Sequence, residues 1–204
     1  MKKLLVLKGL TAIAAIILLT SCSKLPQEEM DAANNAIEMA EASGAAIYLP
    51  DSYLAVQDSM KTAVEQLEVQ KSKLFKKYGP VKDKMIRIAD QARQVQLQTE
   101  AKKEELKNEI MNTVAQIKQL IESNHRLILE APKGKEGTTA LVSIKSEVDA
   151  LQVSVDEVSG MLAGEEYLVT LGKARMIRQK AQSINTELQE VITKYKENVK
   201  RRKA

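Results

Sequence analysis

The chain is short of the residues that most enzymes and disulfide-stabilised domains rely on. Of its 204 residues one is Cys, one is His and none is Trp, and five Tyr and one Phe are its only aromatics. A single cysteine excludes an internal disulfide framework, and one Cys with one His leaves no zinc constellation. Six aromatics are too few to fill a thick globular core. No segment shows a sustained two-residue alternation of apolar and polar side chains, so no sheet is expected. What is abundant is different: hydrophobic residues reach 44%, mostly Ala, Val, Ile and Leu set among Glu, Lys and Gln. That is the composition of long helices and coiled coils.

The first residues read as an address. Lys2, Lys3 and Lys8 precede an uncharged eleven-residue run, Gly9 to Leu19. A spanning helix needs about 20 apolar residues, whereas a run of this length suits the apolar part of a secretory signal. The only cysteine follows at once, and Leu19-Thr20-Ser21-Cys22 resembles the lipobox of bacterial lipoproteins. The resemblance implies cleavage between Ser21 and Cys22, removal of residues 1–21, and a lipidated N-terminus and linker over 22–27. Each buried CH₂ of an acyl chain contributes ~0.8 kcal/mol, so several chains on Cys22 hold firmly. Ser23, rather than Asp, follows the cysteine; by the sorting rule of enteric lipoproteins this implies the periplasmic face of the outer membrane. A plain signal peptide with a chance cysteine is the alternative.

Removal of residues 1–21 takes three lysines and no acid from 31 basic and 27 acidic residues, lowering the formal charge from +4 to +1. A nearly neutral, aromatic-poor chain offers neither the basic field nor the stacking platform of a nucleic-acid binder.

The remainder is punctuated by proline and glycine. Pro26, Pro50, Pro80 and Pro132 fall at junctions, and among the glycines beyond the signal only Gly172 interrupts a helical pattern. Between breaks, apolar residues recur at spacings of three and four. The seams read Met30, Ala33, Ile37, Ala40, Gly44, Ile47; then Tyr53, Val56, Met60, Ala63, Leu67, Leu74; then, after Pro80, Val81, Met85, Ile88, Ala92, Val95, Thr99, Lys102, Leu106, Ile110, Val114, Ile117, Ile121. A fourth seam runs Leu141, Ile144, Val148, Leu151, Val155, Val158, Leu162, and a fifth Ile177, Ala181, Ile184, Leu188, Val191, Tyr195.

The third helix, from Pro80 to Ala131, would be ~78 Å long, with a stutter where steps of four meet at 102, 106 and 110. Helix two is expected to lie antiparallel on its first half and helix four on its second. The expected fold is all-α, an elongated antiparallel helical bundle of coiled-coil hairpins. Residues 28–131 form a hairpin region with the long third helix, 132–137 a turn, and 138–204 a second hairpin with a basic C-terminal end.

Charge repeats along this plan. Residues 22–60 hold seven acids and one base, 71–107 eleven bases and five acids, 138–166 six acids and one base, and 167–204 ten bases and three acids. Acidic helices beside basic ones favour the hairpin pairing, although an exposed pair contributes at most ~1 kcal/mol.

Residues 40–52, Ala-Glu-Ala-Ser-Gly-Ala-Ala-Ile-Tyr-Leu-Pro-Asp-Ser, resemble a family of small helical lipoproteins of Gram-negative bacteria known only as a domain of unknown function. Its hallmark is an Ala-rich helix ending in Gly-Ala, then Tyr, a small residue, Pro and an acidic helix start; Leu49 replaces the usual Ala. Gly164-Glu-Glu-Tyr167 and Leu171-Gly-Lys-Ala174 resemble the second hairpin turn of those proteins and of tetratricopeptide-like helix pairs. The resemblance covers about half the chain. It implies an envelope lipoprotein of helical hairpins and supplies no activity.

The residues themselves supply none either. His125 has no carboxylate at i±4, and Gly134-Lys135-Glu136-Gly137 does not run into Ser or Thr as a phosphate loop does. Gly160 and Gly164 have GxxxG spacing among acids, which excludes a membrane dimer. Glu104 and Glu105 sit on an exposed face with no apolar pocket to raise a pKa. Tyr48, Tyr53, Tyr78 and Tyr167 stand beside breaks, as hairpin anchors do.

No enzyme, metal, cofactor or small-molecule substrate is therefore expected. Two basic clusters remain. Lys76, Lys77, Lys82 and Lys84 surround the Gly79-Pro80 turn, placed to meet anionic headgroups. Lys200, Arg201, Arg202 and Lys203 end the chain, placed to meet the wall or a partner; solvated helix ends are the plainer account of both. The expected function is a non-catalytic structural or adaptor lipoprotein for envelope proteins or peptidoglycan. A periplasmic holdase chaperone with helical arms is the alternative. It would need an oligomeric clamp, which light scattering would detect.

Overall fold

The computed structural model describes residues 24–132 and 135–203. Among them the protein is all-α: α1 (Gln27–Ala42), a one-turn α2 (Ala45–Tyr48), α3 (Pro50–Lys71), α4 (Gly79–Glu130), α5 (Lys135–Met161), a 3₁₀ turn (Leu162–Gly164) and α6 (Tyr167–Lys203). Proline and glycine set several of the breaks. Pro50 opens α3 at its first position, where its missing N–H costs nothing. Gly44 separates α1 from α2 at φ +92°, a left-handed conformation open to glycine.

The chain divides into two units at residues 101 and 102, so α4 contributes its first part to one and its second part to the other. In the first unit a single core cluster joins α1, α3 and the start of α4 through Ala33, Ala40, Tyr53, Leu67, Met85 and Ile88. Tyr53 of α3 lies beside Glu41 of α1, and Glu29 of α1 pairs with Lys82 of α4. These contacts define an up-down-up three-helix bundle.

The second unit repeats the arrangement with α4, α5 and α6. The pairs Lys173–Glu157 and Lys180–Glu147 run α5 and α6 antiparallel. Arg175–Glu109 and the bond from Asn124 to the Ala181 carbonyl run α4 and α6 parallel. Acidic α5 is thus met by basic α6, as the charge repeat predicts.

Most of the expected seam is the observed core, with local departures. Leu74 is 97% exposed because α3 ends at Lys71, and Ile47 is exposed because the Gly44 break resets the helix phase. On α6 the buried series runs Ile184, Leu188, Ile192, leaving Val191 and Tyr195 outside. On α4, Thr113 takes the buried place expected of Val114. Lys103, with its side chain only 14% exposed, lies closer to the core than Lys102 at 38%. Burial therefore steps 95, 99, 103, 106, 110, 113, 117, 121, with successive four-residue steps at 95, 99 and 103 and again at 113, 117 and 121 rather than at 102, 106 and 110.

A Cβ on Gly44 would meet the Tyr48 ring at 3.2 Å in a left-handed backbone. Gly44→Ala is therefore expected to destabilise by about 1–3 kcal/mol, read as a lower midpoint in urea.

The Tyr53 hydroxyl is buried and finds no hydrogen-bond partner among the described residues. Burial, with the nearby Glu41 carboxylate adding, pushes its pKa up. Tyr53→Phe is expected to be neutral or stabilising by up to about 1 kcal/mol at pH 7, since it removes an unsatisfied group. The native state favours the neutral phenol, so stability falls as pH rises above the unfolded value of about 10. That alkaline loss should shrink in Tyr53→Phe, as thermal melts from pH 8 to 11 would record.

Candidate functional site

Two surfaces carry the basic residues, one at the start of α4 and one at the end of α6. The first is built by the loop 72–78. Its beginning is held by Ser72 N and Lys73 N, which donate to the Glu68 and Gln70 carbonyls, and by Lys77 N, which donates to Gln70 Oε1 at 3.4 Å. Its end is held by Tyr78, which is buried. Between these fixed points residues 72–77 are all exposed, Lys76 and Lys77 among them.

Lys82 follows in the first turn of α4 and is engaged: its Nζ lies 2.7 Å from Glu29 Oε1. That contact holds the Glu29 carboxyl below the usual carboxylate range and raises Lys82 in turn. Glu29's stabilising share is present above its unfolded pKa and is lost as pH falls through its lowered folded value. Lys84 is half-buried and stands about 200° around the helix from Lys82, so the four lysines do not share one face. The segment Lys24–Gln27 borders the same cleft as Tyr78, Gly79 and Lys82. The chain thus enters α1 beside the basic loop. Ser21 and Cys22, the cleavage and lipidation residues, lie outside the described residues.

The second surface is the end of α6. Ile192 is its last buried residue, and the helix continues to Lys203. Lys194, Lys196, Lys200, Arg201 and Arg202 are exposed on this extension beside a single acid, Glu197. Lys203 closes the helix; its side chain lies outside what the structure describes.

One polar feature inside the second unit falls outside the seams read from the sequence. Asn124 is fully buried on α4. Its Nδ2 donates to the Ala181 carbonyl at 2.9 Å, and its Oδ1 accepts from Asn185 Nδ2 at 2.8 Å. Asn185 Nδ2 also donates to Ser123 Oγ, and Gln189 Nε2 donates to Asn185 Oδ1. The available signal was spacing, since 117, 121 and 124 continue the seam.

His125, one residue on, does find a carboxylate, but from another helix: its Nε2 lies 3.6 Å from Asp149 Oδ1. Lys145 also holds Asp149, at 2.7 Å, and is the main reason its carboxyl sits below the usual range. His125 and Asp149 are both substantially exposed.

Among the described residues no cluster of three metal-ligating side chains occurs, and no helix is long and apolar enough to cross a membrane. The described residues form two three-helix units, one with an exposed basic loop before α4 and the other with an exposed basic extension of α6. Comparison with family models, curated proteins and solved structures finds no significant match to this chain.

Proposed function

We propose that this protein is a non-catalytic lipoprotein scaffold of the cell envelope, anchored through Cys22 at the periplasmic face of the outer membrane. The observation that carries the reading is that Lys24–Gln27, which begin two residues beyond the lipobox cysteine, border one cleft with Tyr78 at the end of the basic loop and with Gly79 and Lys82 of α4. An acyl anchor on Cys22 would bring that loop to the headgroups. The exposed basic extension of α6 would serve as the contact for peptidoglycan or an acidic envelope protein. The family resembled at residues 40–52 and 164–174, helical lipoproteins of unknown function, fits the same reading.

Growth with labelled palmitate tests the anchor. Label should enter the protein, disappear in Cys22→Ala, and co-fractionate with outer membrane. A mature N-terminus other than residue 22 would overturn it. Sedimentation with purified sacculi tests the extension: binding should fall on deletion of residues 198–204, and unchanged binding would remove the wall contact.

A further inference from the structure

The loop between α3 and α4 carries the chain's only phenylalanine in an unexpected place. Phe75 is 86% exposed and Leu74 is 97% exposed. Two large adjacent apolar side chains with almost no protein contact call for an occupant. Their placement is fixed, because α3 ends at Lys71, the loop folds back through the Lys77–Gln70 bond, and Tyr78 is buried at the start of α4.

The residues around the pair say what that occupant is. Lys71, Lys73, Lys76 and Lys77 lie within four residues on either side and are all exposed; Lys71 pairs with Glu68 at 2.7 Å, and the segment Lys71–Tyr78 itself contains no acid. A protein groove that took Leu and Phe would have to accommodate this clustered positive charge at its rim. A bilayer with anionic headgroups does both at once, since its acyl boundary takes the apolar pair and its phosphates take the lysines. Lys24 and Leu25 also lie at this end of the unit, and Leu25 is 41% exposed. No more than about 7 Å of chain separates Lys24 from residue 22.

We infer that the 72–78 loop is a membrane-inserting wedge: Leu74 and Phe75 enter the acyl boundary of an anionic leaflet while Lys71, Lys73, Lys76 and Lys77 hold its headgroups. The inference deepens the anchored-scaffold reading, and rests on it only for which membrane is met. With the wedge seated, the anchor and the loop make two attachments at one end of the unit, fixing its orientation as a lone acyl tether does not.

Because the chain has no tryptophan, Phe75→Trp introduces a single reporter at an exposed position where folding does not depend on it. The variant is produced from the full gene, purified from cell membranes and reconstituted into vesicles of phosphatidylcholine, with or without phosphatidylglycerol, containing lipids spin-labelled near the top of the acyl chain. Leu97→Trp, exposed farther along α4, is the matched control.

The Phe75→Trp emission should shift to the blue and be strongly quenched in anionic vesicles, weakly in neutral ones, while Leu97→Trp is unaffected. Lys76→Gln with Lys77→Gln should weaken the anionic-vesicle interaction about 30-fold, at about 1 kcal/mol for each basic residue. Quenching no greater than that of Leu97→Trp overturns the wedge, as does quenching indifferent to headgroup charge. Capture of one protein by a photocrosslinker at position 75, with no quenching, assigns the loop to a protein partner instead. Mass spectrometry of residue 22 in the same preparation reports acylation separately, so failure of the anchor and failure of the wedge are distinguishable.

Discussion

Ile88→Ala is expected to destabilise the first unit by about 2–5 kcal/mol, the range for truncating a buried Leu or Ile. Ile86→Ala, two residues earlier on the same helix, is expected to cost much less. Ile88 is 1% exposed in the cluster that joins α1, α3 and α4, whereas Ile86 is 42% exposed. The two substitutions remove the same atoms and differ little in helix propensity, so their difference isolates burial. In urea melts the midpoint should drop sharply for Ile88→Ala and barely move for Ile86→Ala. Equal losses at the two positions would mean that the seam of α4 faces elsewhere.

That contrast also shows why so much of the fold was legible. A strand pattern would have placed residues 86 and 88 on one face; a helical one separates them by about 200°. Counting threes and fours therefore identified Val81, Met85, Ile88, Ala92 and Val95 as one stripe, and all five are buried. The count failed in two physical circumstances. Where a helix stops, spacing loses its meaning, as at Leu74 beyond Lys71. Where a helix is long, a strict heptad drifts by ~20° per repeat, and on α6 the seam accordingly passed from Val191 to Ile192.

Polar seam positions were harder still. Thr99 and Thr170 are fully buried because each hydroxyl donates to the carbonyl four residues back, Val95 and Glu166, at 2.8 Å. A hydroxyl satisfied by its own helix costs the core little; spacing places Thr99 in the expected seam, whereas Thr170 precedes the first residue of the seam read on α6.

The candidate surfaces divide in the same way. The basic ends were visible as composition, and Lys76, Lys77, Lys200, Arg201 and Arg202 are all exposed. The pairing of Lys82 was not, because Glu29 is 53 residues away and only the packing of α1 on α4 brings it within 2.7 Å. Nor was the exposure of Phe75. Apolar type alone argues for burial, and the end of α3 at Lys71 leaves Phe75 in an exposed loop.

Asn124→Asp should be the most damaging single-atom change in the second unit. The wild-type amide uses both its functions, donating to the Ala181 carbonyl and accepting from Asn185 Nδ2. An ionised aspartate keeps the second bond, but turns an anion toward the Ala181 carbonyl at a site with 0% exposure. The expected loss at pH 7 is about 3–5 kcal/mol, the range for an uncompensated buried charge. Burial raises the folded-state pKa of the new carboxyl above the unfolded value of about 3.9. Between those two values the native state binds more protons than the unfolded one, so stability falls as pH rises through the window. The deficit relative to the wild type should therefore shrink on acidification, as the protonated acid regains a hydrogen to donate to Ala181. Asn124→Leu provides the contrast: it brings no charge but leaves Asn185 Nδ2 with only Ser123, and its deficit should not change with pH. A pH-independent loss in Asn124→Asp would show that position 124 is open to water and that the α4–α6 register is fixed by the apolar seam alone.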